Sequence, residues 1–391
     1  MAPLSISMNK AKILITCAKG ISPFLKQELR ALDFPIISEM IAGVETEGVF
    51  DDTLLLNLSL RTGHRVLFPV KEFRAKNSDE LYHALFGMSW EDHIPDDGYL
   101  CVTSAVDNPT IKDPRYANLK CKDAIVDRIM EKRGRRPDSG PKRDRSVVHL
   151  YWKDEHGVMY LDTSGEPLSR RGYRKIPLSA PMQETLAAAV VLATGWNGSG
   201  NFINPMCGSG TLAIEATLIG LNRAPGLLRG NFGFMHIKGF RKSFWNDLRE
   251  RAKKKVKKSI AGRIIATDIE PGAVEAAKRN AITAGVERLI AFDVCDYADT
   301  PLPDGRGVIV INPEYGVRMG EVSKLVETYK GIGDFFKQRC QGYKGYVITG
   351  NPDLAKKISL KPSKAIPFFN SGIECRLFEY ELYERTRKVT K

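Results

Sequence analysis

The chain has 391 residues, 43% of them apolar, enough for two or three domains with their own cores. Lys and Arg number 59 against 46 Asp and Glu, a net charge of +13 that favours a polyanionic partner, nucleic acid first. No apolar run approaches the roughly 18 residues needed to span a bilayer, and the leader "MAPLSISMNK" has no apolar core, so a cytoplasmic protein with no membrane association is expected. Seven cysteines without a CxxC pair and six histidines without HExxH or HxxxH spacing give no support to a metal site or a disulfide framework.

In chain order, "AKILITCAKG" reads as a strand and "ISPFLKQELRAL" as a helix with Phe24, Leu25, Leu29 and Leu32 on one face. Residues 66–166 mix short strands ("GYLCVTSAV", "SVVHLYW", "GVMYLDT") with the helical "NLKCKDAIVDRIMEKR", where Leu119, Ile125, Ile129 and Met130 are expected inside. From Lys112 to Arg145 there are twelve Lys and Arg against six Asp and Glu, and the stretch ends in a loop carrying Gly and Pro. Taken singly, such a run is most simply a solvated face. In a chain of this charge, Lys132, Arg133, Arg135, Arg136, Lys142 and Arg143 are candidate phosphate contacts. "LSRRGYRKIP" adds Arg170, Arg171 and Arg174 around Tyr173, mixing cations for phosphates with a ring for stacking.

Pro177 and Pro181 bracket a boundary. After it, strands and helices alternate through "NFINPMCGSG", "TLAIEATLIGL", "RIIATDIE", "AVEAAKRNAITAG", "LIAFDVCDY" and "RGVIVINPEYG", which predicts an α/β, Rossmann-like doubly wound sheet. The closing "AIPFFNSGIECRLFEYELY" reads as a hairpin turning at Ser371-Gly372, an unusual ending for a dehydrogenase. Within residues 222–259, Phe244, Leu248, Ala252, Val256 and Ile260 recur every four residues, as on an amphipathic helix.

"NPMCGSGTLAIEA" follows an apolar strand and opens a helix, so Gly208 and Gly210 stand where the backbone turns tightly and approaches a ligand. As GxGxxA the loop permits nicotinamide or S-adenosylmethionine. The acid closing the next strand is Asp268, far past the spacing of about 20 that a dinucleotide site wants. Asp268 would accept from ribose hydroxyls and Asp296 from an adenine amino group; each alone reads equally as a strand-end acid. In "VIVINPEYGVRMG" an apolar strand stops at Asn312-Pro313. The Asn312 oxygen and the Pro313 carbonyl can accept the two hydrogens of a planar exocyclic amino group and aim its lone pair, while Tyr315 offers a face for stacking.

The series "NPMCGSGTLAIEA", "ATDIE", "FDVCD" and "INPEYGVRMG", with "RRGYRK" before it and "GLLRGNFGF" inside it, resembles class I S-adenosylmethionine-dependent RNA methyltransferases carrying a THUMP domain. The nearest branch is the large-subunit rRNA guanine-N2 methyltransferases, in a short form with one catalytic domain. The resemblance spans nearly the whole chain. It implies a ferredoxin-like region over 1–65, a THUMP domain over 66–166, a linker over 167–180 and a catalytic domain over 181–391. It further implies S-adenosyl-L-methionine as cofactor, held by Asn204, Pro205, Met206, Cys207, Gly208, Ser209, Gly210 and Thr211 with Asp268, Ile269 and Asp296. The catalytic set implied is Asn312, Pro313, Glu314 and Tyr315, the substrate is RNA, with 23S rRNA foremost, and no metal takes part.

Two positions depart from the family pattern. Asn204 stands where Asp is usual, which removes a charge from the cofactor loop, and Glu314 replaces the third residue of Asn-Pro-Pro-Tyr. Glu314 gives up a proline's rigidity. It could face water, accept the guanine N1 hydrogen, or mark a slow or inactive enzyme. The competing functions are therefore an RNA-binding protein with a weak or inactive methyltransferase domain, and an adenine-N6 methyltransferase. Oligomeric state is not legible.

Overall fold

A computed structural model describes residues 9–96, 98–176, 182–315, 319–370 and 372–383. The chain divides into two compact units. The first comprises residues up to Cys17, Leu25–Leu168 and Arg229–Ala252; the second comprises Ala18–Phe24, Ser169–Leu228 and Lys253 onward.

The first unit is built on one eight-stranded sheet. Its elements are β1 (Ala11–Thr16), α1 (Ser22–Ala31, in this unit from Leu25), β2 (Ser38–Met40), β3 (Gly43–Gly48), α2 (Phe50–Ser59), β4 (Arg65–Arg74), α3 (Ser78–Phe86), β5 (Tyr99–Asp107), α4 (Pro114–Arg133), β6 (Asp138–Ser139), β7 (Ser146–Lys153) and β8 (His156–Asp162). The strand order is β2-β3-β1-β4-β8-β7-β5-β6, so the ferredoxin-like and THUMP regions expected from the sequence share a continuous sheet through the β4–β8 pairing. That ladder shifts register between Pro69 and Lys71, where proline lacks the N–H a regular ladder needs.

Helix α4 corrects one expectation. Ile125 and Ile129 are buried, but Leu119 and Met130 are 50% and 47% exposed, and the inward positions are Ala117, Cys121, Ala124 and Val126. Small side chains let α4 lie close against α3 and β5, which a search for large apolar residues misses.

Residues 229–252, read from sequence as part of the catalytic domain, group with the first unit. Arg229 donates to the carbonyls of Pro167, Ser164 and Glu166 at 2.8, 3.2 and 2.9 Å, and Ser146 Oγ donates to the His236 carbonyl at 2.7 Å. A Cβ on Gly233 would lie 2.2 Å from the Asp162 carbonyl oxygen, so this close seat requires glycine. Helix α7 (Lys242–Lys254) buries Trp245 and Leu248; Val256 and Ile260, expected on it, lie beyond its end. Trp245 packs edge-on against Phe232 and Phe234.

The second unit contains α5 (Glu184–Ala193), β9 (Asn201–Pro205), α6 (Thr211–Gly220), β10 (Ile264–Asp268), α8 (Pro271–Ala284), β11 (Ile290–Val294), β12 (Gly307–Ile311), α9 (Met319–Arg339), β13 (Lys344–Thr349), α10 (Pro352–Lys357), β14 (Lys364–Asn370) and β15 (Ile373–Glu381). Its sheet runs β11-β10-β9-β12-β13-β15-β14, parallel throughout except for β15, which is antiparallel to both neighbours. The terminal hairpin turns through Gly372 at φ 88°; its partner in the expected turn, Ser371, lies outside the described residues. Ile203, Ile309, Ile311, Tyr329, Ile332, Phe336 and Val347 fill the core. Strand order reverses at β9, so the carboxyl ends of β9 and β12 flank the crevice where such sheets bind ligands.

Candidate active site

The loop leaving β9 bends sharply: Met206, Gly208 and Gly210 have φ of 53°, 53° and 79°. Its backbone is held by the Cys207 N–H to the Thr267 carbonyl at 2.9 Å and the Gly208 N–H to Asp268 Oδ2 at 2.8 Å. The two glycines serve different ends. A Cβ on Gly208 would enter open space, whereas one on Gly210 would meet Ala277 Cβ at 2.8 Å. Gly210 therefore lets α8 approach, and Gly208 leaves a bare, uncovered backbone just before α6, whose first N–H groups favour a negatively polarised ligand.

Asn204 is fully buried at the end of β9. Its Nδ2 donates to the Val310 carbonyl at 2.9 Å, bridging β9 and β12 where their ladder ends at Ile203–Ile309, and its Oδ1 has no hydrogen-bond partner. Reversing the amide would set oxygen against oxygen, so the carbonyl of Val310 fixes the orientation. The aspartate usual in the family could not make this bond in its ionised form. A buried acceptor left open is costly unless a donor arrives. Together with the open face of Gly208, it fits a cofactor carrying an ammonium group.

Asp268 occupies the end of β10. Besides receiving Gly208, its Oδ1 accepts from the Glu270 N–H at 3.1 Å, so the carboxylate ties the loop to the next turn and keeps further lone pairs open. Ile269 beside it is 62% exposed. Asp296 caps a short turn after β11, accepting from the Ala298 N–H at 2.9 Å. Burial, then the Asp268 charge, pushes the Cys207 thiol up, so it stays protonated and is no nucleophile.

The segment "RRGYRK" behaves differently from its sequence expectation. Arg171 and Tyr173 are each 1% exposed; the Arg171 Nε lies 3.4 Å and the Tyr173 hydroxyl 3.1 Å from Glu215 Oε1 on α6. Arg174 is half-buried and donates to Glu184, to the Met182 carbonyl and to Thr211 Oγ1 at 3.2, 2.6 and 3.2 Å. These three residues were expected to contact RNA; instead they pair with Glu215 and Glu184 and hold the start of α6, because a carboxylate buried in an apolar helix must be paired. Asn280 on α8 completes the brace, accepting from the Lys175 N–H at 2.9 Å and donating to the Ser209 carbonyl at 3.1 Å. The signal overlooked was Glu215 itself, a lone charge within "TLAIEATLIGL".

At the end of β12, Asn312 is half-buried with no side-chain hydrogen bond among the described residues, and Pro313 is buried. Glu314 is exposed while its carbonyl accepts from the Tyr329 hydroxyl at 3.2 Å. The half-buried Tyr315 packs against Gly350, and its hydroxyl accepts from Asn370 Nδ2 at 3.3 Å. Burial raises the Tyr315 phenol, which remains neutral. Tyr329 and Asn370 were not found from the sequence. Asn370 lies 55 residues from the tyrosine it holds, and Tyr329 lies on the next helix, 15 residues from Glu314.

Of the basic residues expected to meet RNA, Lys132, Arg135, Arg136 and Lys142 are exposed in the first unit, and Arg170 is exposed in the second. Arg133 corrects the set: it is bound to the carbonyls of Glu91 and Ile94 and paired with Asp96 at 2.5 Å. Arg143 is half-buried beside the Cys101 thiol. Among the described residues there is no cluster able to hold a metal ion and no helix long and apolar enough to cross a membrane.

A seven-stranded sheet in this order, with a glycine loop after its first strand, an acid after its second and Asn-Pro after its fourth, defines a class I methyltransferase whose methyl donor is S-adenosyl-L-methionine. Family models match in three places: the RlmL ferredoxin-like domain over residues 12–67, the THUMP domain over 75–162, and the RMKL-like methyltransferase domain over 171–379. Ribosomal RNA large subunit methyltransferase K/L of Syntrophotalea carbinolica is 36% identical, covering 96% of this chain and 54% of that protein. The Synechocystis sp. protein slr0064, provisionally named an RNA methyltransferase, is 33% identical over 94% of this chain and 96% of its own length. Among solved structures, SMU.472 complexed with SAH superposes with a TM-score of 0.87 at 26% identity, covering 97% of this chain and all of that one. The chain belongs to the RMKL-like methyltransferase family and carries a THUMP domain. It spans about half the length of the K/L proteins it matches.

Proposed function

We propose that the protein methylates the exocyclic N2 amino group of a guanine in RNA, with 23S ribosomal RNA as the substrate. When bound, S-adenosylmethionine supplies an electrophilic sulfonium methyl group. Asn312 Oδ1 and the Pro313 carbonyl accept the two amino hydrogens, which turns the nitrogen lone pair out of conjugation and toward the crevice. The nitrogen takes the methyl group as the sulfur keeps the electron pair of the broken bond, and the cationic amine then sheds one hydrogen as a proton to water, so positioning can act without a general base. Tyr315, anchored at its hydroxyl, offers its ring to the base.

The observation that carries the proposal is the half-buried Asn312 amide, which has no hydrogen-bond partner among the described residues and stands at the crevice end of β12. Guanine is favoured over adenine because the exposed Glu314 carboxylate can accept a hydrogen from N1, which adenine lacks. The reading as an inactive RNA-binding protein loses support from the same loop, whose backbone is pinned at Glu314 and whose ring is pinned at Tyr315. The names of the K/L relatives and of slr0064 support RNA as the substrate. Exposed Lys132, Arg135, Arg136 and Lys142 supply charge for phosphates.

The test is methyl transfer from labelled S-adenosylmethionine to unmodified ribosomal RNA, with Asn312→Ala as the control. Transfer by the parent and a loss of roughly 10² to 10³ in the variant, at unchanged cofactor affinity, is expected. Equal rates in the two proteins would remove Asn312 from the chemistry.

A further inference from the structure

Residues 18–24 pack with the second unit, although the chain on both sides of them belongs to the first. Two contacts fix this short segment on the terminal hairpin. Phe24 stacks on Phe368 of β14, with centroids 5.7 Å apart and planes 19° from parallel. Gly20, at φ 84°, sits so close to β14 that a Cβ there would lie 2.8 Å from the Pro367 carbonyl oxygen. Just before Gly20, the exposed Lys19 places its ammonium 4.3 Å from the centre of the Phe369 ring. The next residue along β14 is Asn370, whose amide holds the Tyr315 hydroxyl.

We propose that Lys19 is a phosphate-binding cation for the RNA strand, set beside the loop that handles the target base. The inference rests on the RNA methyltransferase reading above and adds a residue from outside the catalytic sequence. Three features carry it. Among the described residues the ammonium has no carboxylate partner and rests on the aromatic face, which attracts a cation without neutralising it. The backbone under it is seated by glycine and by an aromatic stack, so the charge is presented at a defined place rather than spread over a flexible surface. Its neighbour in space, Phe369, precedes Asn370, the group that fixes Tyr315; their side chains leave opposite faces of β14, but only about 3.3 Å of strand separates them, so the backbone flanking a base on Tyr315 passes this end of the hairpin. A phosphate is the anion that accompanies every such base. The other anion available to the site is the carboxylate of the cofactor, and the experiment separates the two.

Equilibrium binding of an unmodified ribosomal RNA fragment is measured for the parent, Lys19→Gln and Lys19→Arg over a salt series, with calorimetric titration of S-adenosylmethionine and thermal melting alongside. Lys19→Gln should weaken RNA binding about 5- to 10-fold at low salt and reduce the salt slope by about one. Cofactor affinity and melting should stay at parental values, and Lys19→Arg should restore binding. Phe369→Leu, which removes the ring beneath the ammonium, should weaken RNA binding in the same direction by less. RNA affinity and slope unchanged in Lys19→Gln would overturn the proposal, as would a loss confined to cofactor affinity, which would assign Lys19 to the cofactor carboxylate. Failure of the parent itself to bind RNA would overturn the underlying reading as well.

Discussion

The hydroxyl of Tyr329 donates to the carbonyl oxygen of Glu314 at 3.2 Å and lies 2.8 Å from Thr349 Oγ1. Tyr329 is fully buried on α9, and Thr349 ends β13, so two core elements hold the Asn-Pro loop, the proposed catalytic loop, at the residue where the family pattern has proline. A proline would restrict this loop through its own φ and through the residue before it. Here a hydrogen bond from a buried tyrosine restricts the same turn from beneath.

Tyr329→Phe should therefore lower kcat about 10-fold while leaving cofactor affinity alone, and destabilise the fold by about 1 kcal/mol through the lost bond. In a protein carrying E314P, the same substitution should cost little in kcat, because the proline supplies the restriction. Rates measured for the four members of this double-mutant cycle decide it. Purely additive losses would mean that Tyr329 supports the core and not the loop.

The glycines of the cofactor loop should separate binding from folding. Gly208→Ala places a methyl group in open space toward the crevice, and should cut S-adenosylmethionine affinity at least 10-fold with about 1 kcal/mol of conformational cost. Gly210→Ala drives a methyl group against Ala277 and should lower the melting temperature by several degrees more than Gly208→Ala does. Calorimetric titration and thermal melting of the two variants check this, and the opposite assignment of effects would show that Gly208 does not border the cofactor.

Cations also divide by role. Reversing Arg135, Arg136 and Lys142 to Glu should weaken RNA binding steeply and flatten its salt dependence with no change in melting, since all three are exposed. Arg171→Met leaves Glu215 without one of its partners in a fully buried site, and should cost about 3 kcal/mol or more in stability. An Arg171→Met protein with parental melting and weakened RNA binding would restore the sequence-based view of that segment.

What the sequence made legible follows from what periodicity and loop chemistry can report. Hydrophobic periodicity gave away the strand–helix alternation, and the glycine loop, Asp268, Asp296 and the Asn-Pro turn fall at or just beyond the strand ends expected for them, while their roles toward cofactor and base belong to the proposal. The failures share one cause. Arg171, Tyr173 and Arg174 have the composition of an RNA surface, and only the fold reveals Glu215 and Glu184 as their partners. Arg133 is spent in the same way on backbone carbonyls and Asp96. In α4 the inward face is written in Ala and Cys, and in α7 Trp245 takes the core position one residue after the expected Phe244. Tyr329, Asn370 and Asn280 act on loops remote in sequence, which no single-sequence pattern encodes.

The central claim is the identity of the methylated atom. Unmodified ribosomal RNA is incubated with the protein and isotope-labelled S-adenosylmethionine, digested to nucleosides, and the labelled nucleoside identified by mass spectrometry against standards. The account predicts N2-methylguanosine as the labelled product, absent when Asn312→Ala replaces the parent. Label in N6-methyladenosine would contradict the guanine assignment and the part given to Glu314, and an absence of label from every nucleoside would contradict the claim of RNA methylation itself.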